Sequence, residues 1–161
     1  MPRVLILLDV QNLYYTSRHA YQRNVDYNAL WARATAGREV SRAIAYAIDR
    51  GDAKQRQFQN ILRAIGFEVR LKPFIQRADG SAKGDWDVGI TLDAVRHAGA
   101  VDVVVLASGD GDFALLADTL RQEHGVAVEV YGVPSLTAEA LIRSASRFIP
   151  IEGQLLLGQS R

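Results

Sequence analysis

Short apolar runs alternate along the chain with segments whose apolar residues recur at helical spacing. Val4-Leu5-Ile6-Leu7-Leu8 is a continuous apolar run of strand length that stops at Asp9. This is the pattern of a central parallel strand buried on both faces. A helix is expected from Gln11 to about Tyr21, and a shorter one from an Asp26 N-cap through Leu30 and Trp31. Arg42 to Ile48 fits helix or strand; strand is preferred because Asp49-Arg50-Gly51-Asp52 then turns the chain into a helix from Ala53 to Ile65. Gly66 closes that helix. Phe67 to Leu71 alternates as a strand, which Pro73 stops or confines to an edge.

After the polar loop Ala78 to Gly84, the stretch Trp86 to Ala98 has helical spacing through Val88, Leu92 and Val95. Val101 to Ala107 reads as a buried strand. Phe113 to about Glu123 follows as a helix presenting Leu115, Leu116 and Leu120. Val126 to Tyr131 is a strand, Thr137 to Ser146 a helix, and Phe148 to Ile151 a short edge strand. Alternating strands and helices predict an α/β fold, a three-layer α/β/α sandwich around a mostly parallel sheet with right-handed crossovers. One domain is expected over residues 1–152, with residues 153–161 as a tail or a crossing segment.

Composition narrows the chemistry. A chain of 161 residues is long enough for one well-buried domain and short for two. Cysteine is absent, which excludes disulfides, thiolate nucleophiles and cysteine-ligated zinc. His19, His97 and His124 lack metal-ligand spacing. The apolar run before Asp9 is too short for a signal-peptide core, and no stretch approaches a membrane span, so a cytoplasmic location is expected.

The net charge of +1 conceals two halves. Between Arg50 and Lys83, eight Lys and Arg residues face only Asp52, Glu68 and Asp79. From Asp85 to Asp118 the balance reverses, with Arg96 alone among seven aspartates. A basic region beside an acidic pocket suits a polyanion held near metal ions, although a solvated face of mixed charge has the same composition.

The acidic residues fall where strands should end. Ser108-Gly109-Asp110-Gly111-Asp112-Phe113 follows the Val101 strand directly. In a parallel sheet, Asp9 and Asp110 end different strands on one edge, where ligands bind in open α/β folds. Asp112 opens the next helix and Asp87 lies in the first turn of another, so four carboxylates from three segments can meet in one crevice. Their mutual repulsion calls for a hard cation such as Mg²⁺ or Mn²⁺, which takes oxygen ligands and can activate water beside a phosphodiester. Asn12, one turn past Asp9, can orient it or hold a water. The alternatives are local: Asp112 as an N-cap and Asp87 as a complement to the helix dipole. Asp93 stands about 120° around the helix from Asp87 and ranks behind it; Asp85 is a further spare. Trp86, Tyr14 and Tyr15 are open between base stacking and core, and Phe113 is read as core. There is no P-loop, dinucleotide-binding glycine motif or nucleophile elbow. Gln11 replaces the second acid that an aspartate-nucleophile phosphatase would place two residues after Asp9.

Leu8-Asp9-Val10-Gln11-Asn12, Lys83-Gly84-Asp85-Trp86-Asp87-Val88 with Asp93, and Ser108 to Phe113 together resemble the NYN domain family, in particular its bacterial LabA-like branch. The resemblance spans nearly the whole chain. It implies a PIN-like (Rossmann-like) fold and an Mg²⁺- or Mn²⁺-dependent endoribonuclease that leaves 5′-phosphate and 3′-hydroxyl ends on RNA. It maps metal ligands onto Asp9, Asp87, Asp110 and Asp112, a supporting role onto Asn12, and substrate contacts onto Lys83 and Ser108. Two positions depart from the family pattern. An extra residue between Gly84 and Asp87 leaves Asp85 and Asp87 both eligible as ligand, and Gly111 stands where a serine is usual. The alternative function is an RNA-binding or regulatory module that keeps the acids for a structural cation. Single-stranded or structured RNA is the expected partner, with a homodimer through the edge near Phe148 as a further expectation.

Overall fold

The computed structural model describes residues 1–73, 75–76, 82–83 and 85–158, with backbone alone at 73, 75, 76, 82 and 83. Among the described residues eight strands form: β1 (Arg3–Asp9), β2 (Glu39–Asp49), β3 (Glu68–Pro73), β4 (Ile75–Gln76), β5 (Ala82–Lys83), β6 (Val103–Ala107), β7 (Ala127–Gly132) and β8 (Arg147–Pro150). Six of them make a parallel central sheet in the order β3-β2-β1-β6-β7-β8. The two-residue strands β4 and β5 pair separately. Helices α1 (Val10–Tyr21), α2 (Tyr27–Thr35) and α3 (Ala53–Ile65) cover one face. Helices α4 (Asp87–His97), α5 (Ala114–Glu123) and α6 (Glu139–Ser144) cover the other. The chain is a three-layer α/β/α sandwich of the PIN-like type.

β1 explains this architecture. Val4 to Leu8 are entirely inaccessible to solvent. Val4, Ile6 and Leu8 pack under α1–α3, while Leu5 and Leu7 pack under α4 and α5. A strand without a polar side can only sit between two layers of helices. The chain builds outward from β1 through β2 to β3, then restarts on the opposite side with β6, β7 and β8. Strand order therefore reverses between β1 and β6, and a crevice opens beyond their carboxyl ends. Among the described residues, no helix is long and apolar enough to cross a membrane.

The ambiguous Arg42 to Ile48 stretch is strand, and the Phe148 segment is a parallel edge strand. Residues 153–158 fold back: Leu155 and Leu156 are buried, and Leu156 forms a bridge with Val25.

α4 is oriented against its apolar spacing. Val88 and Leu92 are 71% and 54% exposed and Val95 is exposed as well, whereas Ile90, Asp93 and Ala94 are buried. The reason lies in Asp93. The Tyr46 hydroxyl donates to its Oδ2 at 2.7 Å, Arg70 bonds to the same oxygen, and Arg96 lies at 3.5 Å from Oδ1. Burial raises the Asp93 pKa, but Tyr46 and Arg70 outweigh it and hold the carboxyl below its usual range. These polar anchors turn the 90/94 stripe inward. Leu115 on α5 is likewise exposed, while Leu116 and Leu120 enter the core as expected.

Replacing Asp93 with alanine strands the buried Tyr46 hydroxyl and leaves Arg70 paired with Glu68 alone. The expected loss is about 3 kcal/mol of unfolding free energy by urea titration. A loss below about 1 kcal/mol would show that this network does not hold α4.

Candidate metal centre

The crevice is lined by the ends of β1 and β6 and the start of α4. Asp9, 8% exposed, is the last residue of β1 and caps α1 by accepting from Asn12 N at 3.5 Å. Its other oxygen accepts from the Ser108 hydroxyl at 2.8 Å. Ser108 Oγ in turn accepts from Asp110 N at 3.2 Å, so one fully buried hydroxyl couples the two strand ends. Ser108, expected to meet substrate, is instead enclosed, because it continues β6 directly opposite Asp9. Asn12 addresses Asp9, one of the two roles expected of it, and also ties the loop after β6. Its backbone amide addresses Asp9, while its side-chain Oδ1 accepts from Gly109 N at 2.8 Å and holds the loop after β6.

That loop bends sharply. Asp110 Oδ1 accepts from Asp112 N at 2.9 Å and caps the single 3-10 turn Gly111–Phe113. The capping role that is the local alternative for Asp112 is thus filled by Asp110, and the Asp112 side chain is exposed. Glycine is required twice here. A Cβ on Gly109 would lie 2.7 Å from the Leu136 carbonyl, and one on Gly111 would lie 2.8 Å from Ala138 Cβ. The loop is clamped against residues 136–138, with Ala138 N donating to Gly109 O at 3.0 Å. Gly111 in place of serine therefore permits a close approach. Sequence reasoning misses this support from 136–138; its only trace is the small residues that face it.

Asp87 comes from the opposite wall. Its backbone N donates to Asp85 Oδ1 at 3.2 Å, and the Asp85 carbonyl accepts from Lys72 Nζ at 2.8 Å. Trp86 anchors this segment by donating to Ala47 O at 2.8 Å and packing on Tyr46 and under the Lys72 ammonium. Trp86 is thus a half-buried strut, Phe113 is core, and Tyr14 and Tyr15 are exposed on α1.

Asp87, Asp110 and Asp112 each place a carboxylate oxygen within 4.8 Å of the others. Asp9 lies behind this trio, Asp85 flanks it, and Asp93 is committed to Tyr46 and Arg70. The Lys83 side chain and Gly84 fall outside the described residues. Burial pushes the Asp9 carboxyl up to about 6, against the lowering effect of Ser108 and Asn12. Partial burial, and then the adjoining Asp110 carboxylate, push Asp87 up to about 7. Carboxyls pushed this close to neutrality call for a compensating cation. Three convergent oxygens, with no nitrogen or sulfur donor among them, fit a hard divalent ion.

The chain is similar to known proteins. A protein of unknown function, VPA0982, from Vibrio parahaemolyticus has a crystal structure that superposes with a TM-score of 0.93 at 58% identity, over 97% of this chain and 96% of that one. A carbohydrate kinase from Agrobacterium tumefaciens shares the general fold, with a TM-score of 0.52 and 17% identity over 92% of this chain and 60% of the kinase. Low amplitude and bright protein LabA of Synechococcus elongatus is 30% identical over 105 residues, taking in 60% of this chain and 55% of LabA. The chain thus aligns with about half of LabA's length. The NYN domain family model matches residues 3–152, from the start of β1 past the end of β8 and across every aspartate of the crevice. On that match, the chain belongs to the NYN domain family.

Proposed function

We propose that this chain is a metal-dependent endoribonuclease that hydrolyses RNA phosphodiester bonds with Mg²⁺ or Mn²⁺ held by Asp87, Asp110 and Asp112, and with Asp9 behind them. The observation that carries this reading is the convergence of three carboxylates at the switch point of a parallel sheet in an NYN domain. A pure RNA-binding surface gains nothing from three anions facing phosphate. Once bound, the ion supplies charge neutralisation at the phosphate and a water of lowered pKa.

The chain's own residues prepare the site. Ser108 and Asn12 fix the Asp9 carboxylate, so its charge lies at a set point behind the trio. The Gly109–Ala138 clamp holds Asp110 and Asp112 on one short turn. Lys72 and Trp86 hold the Asp85 to Asp87 segment against β2 and thereby set the opposite wall. This rigidity matters because phosphodiester hydrolysis depends on holding charge where it develops. In this reading Asn12 is a positioning residue, and Lys83 is the nearest lysine in sequence to Asp87 that can meet a substrate phosphate.

Purified chain incubated with single-stranded and structured RNA is expected to cleave with Mn²⁺ or Mg²⁺ and to stop in EDTA. Asp110→Asn is expected to lower the rate by roughly 100-fold or more, the scale of losing one preorganised charge at a reacting centre. Cleavage surviving either treatment would exclude this chemistry, whereas tight RNA binding without cleavage would favour the regulatory alternative.

A pH dependence follows from Asp9. Its folded pKa lies above the usual 3.8. The resulting stability contribution is complete below about pH 4 and is lost as pH rises through about 6. In EDTA, the melting temperature of the wild type should fall more between about pH 5 and about pH 8 than that of Asp9→Asn. Added Mn²⁺ should restore the wild type mainly at the upper end of that range. Parallel curves for the two proteins would contradict the assignment of Asp9 as a buried, electrostatically uncompensated acid.

A further inference from the structure

Among the described residues, several bases in and beside the basic stretch are engaged away from the carboxylate trio. Arg70 is taken up by Asp93 and Glu68, Arg42 by Glu68, and Lys72 by Asp85 and Trp86. Arg56 and Arg63 are placed differently. They stand about two turns apart on α3, and none of the ion pairs among the described residues involves either. Both line a cleft of about 330 Å³ between α3 and the outer ends of β2 and β3, and this cleft shares no residue with the metal centre.

The polar groups of the cleft are mostly donors. Arg56 Nη1 reaches the Gly51 carbonyl at 3.3 Å, and Arg63 Nη1 reaches Asn60 Oδ1 at 2.9 Å. These single bonds leave most of each guanidinium's N–H groups unused. The one carboxylate on the wall, Asp49, already accepts from Gly51 N at 2.9 Å. Gln59, 3% exposed, lines the same cleft, and its Nε2 has no hydrogen-bond partner. An unpaired buried amide costs stability and is uncommon in folded proteins unless a missing partner or a function accounts for it. Two uncompensated guanidiniums and an unused amide donor around one cavity call for an anion rich in acceptor oxygens.

From these features we infer that the cleft between α3 and the β2–β3 ends binds a phosphate group, supplied by a nucleic-acid strand that also reaches the metal centre. Its position favours a strand as the source. Asp9 is level with Tyr46 on β2, and β2 continues three residues further to Asp49, roughly 10 Å beyond that level. The cleft therefore opens on the same edge of the sheet as the carboxylates, one to two strands to the side. A strand whose cleaved phosphate sits at the metal centre can place another of its phosphates between Arg56 and Arg63. RNA as the source rests on the nuclease reading above; the phosphate chemistry of the cleft does not.

Two variants and two probes test this. Fluorescence anisotropy with a labelled single-stranded RNA of about 20 nucleotides in EDTA reports affinity without cleavage, and thermal melting with inorganic phosphate reports the cleft alone. The double variant Arg56→Gln/Arg63→Gln is expected to bind RNA about tenfold more weakly or worse at roughly 100 mM KCl. Its plot of log affinity against log salt should become shallower by about 0.7 for each phosphate that the cleft no longer neutralises. Gln59→Leu is expected to melt higher than wild type while binding RNA more weakly. Should the wild type bind no RNA, yet phosphate raise its melting temperature and not that of the double variant, the cleft stands and its phosphate comes from a small molecule. In that case it is the nuclease reading that fails. If both variants match the wild type in RNA affinity, salt slope and phosphate protection, no phosphate binds there and the inference is overturned.

Discussion

A buried hydrogen bond crosses the seam where the sheet reverses its strand order: the Ser108 hydroxyl donates to the Asp9 carboxylate at 2.8 Å. Asp9 ends a strand whose Val4 to Leu8 are fully buried, and Ser108 continues its neighbour. The bond fixes the relative level of the two strand ends and hence of everything that emerges from them. Asn12 leaves β1 as part of α1 and reaches across to Gly109, giving the seam a second tie. Asp110 leaves β6 and caps the turn that presents Asp112. Without these ties the acids would be three flexible side chains on loops. With them, mutually repelling groups are held together by the rest of the fold, and the elevated Asp9 and Asp87 pKa values record that repulsion together with burial.

Much of this is legible in the residues themselves, for a physical reason. A strand-length apolar run bounded by polar residues has the pattern of a doubly covered strand, and an aspartate at its end marks both the sheet edge and a point of unbalanced charge. Val4 to Asp9 and Val101 to Asp112 therefore report fold and site together. α4 is misread from its sequence because two helical stripes compete along it, and apolar spacing favours the wrong one. What turns the helix is the partner network of Asp93, in which Tyr46 lies 47 residues away in sequence. Ser108 misleads for a related cause: a serine beside two aspartates looks exposed until the parallel register places it opposite Asp9. The clamp from residues 136–138 and the unpaired amide of Gln59 are products of tertiary packing and leave no local pattern.

The uneven charge along the sequence also changes meaning once folded. Read linearly, the basic half and the acidic half look like complementary walls of one pocket. In space, several of the basic residues are consumed in fastening strands to helices and to one another, as Arg70 and Arg42 show. Arg56 and Arg63 on α3 enter none of the ion pairs found among the described residues. Net composition thus overstates the electrostatic reach of the protein, and the informative quantity is the charge left after internal pairing.

The far end of the chain shows that homology and folding do not stop at the same residue. The family match ends at 152, but Leu155 and Leu156 are still core, with Asp26 N donating to Leu155 O and Leu157 N to Asn24 O, each at 2.8 Å. A protein truncated at the homologous boundary would keep every aspartate and all six strands of the central sheet. It would also uncover Val25 and the start of α2, part of the layer that covers β1 from one side. Its chemistry would be complete on paper while its hydrophobic interior was open to water.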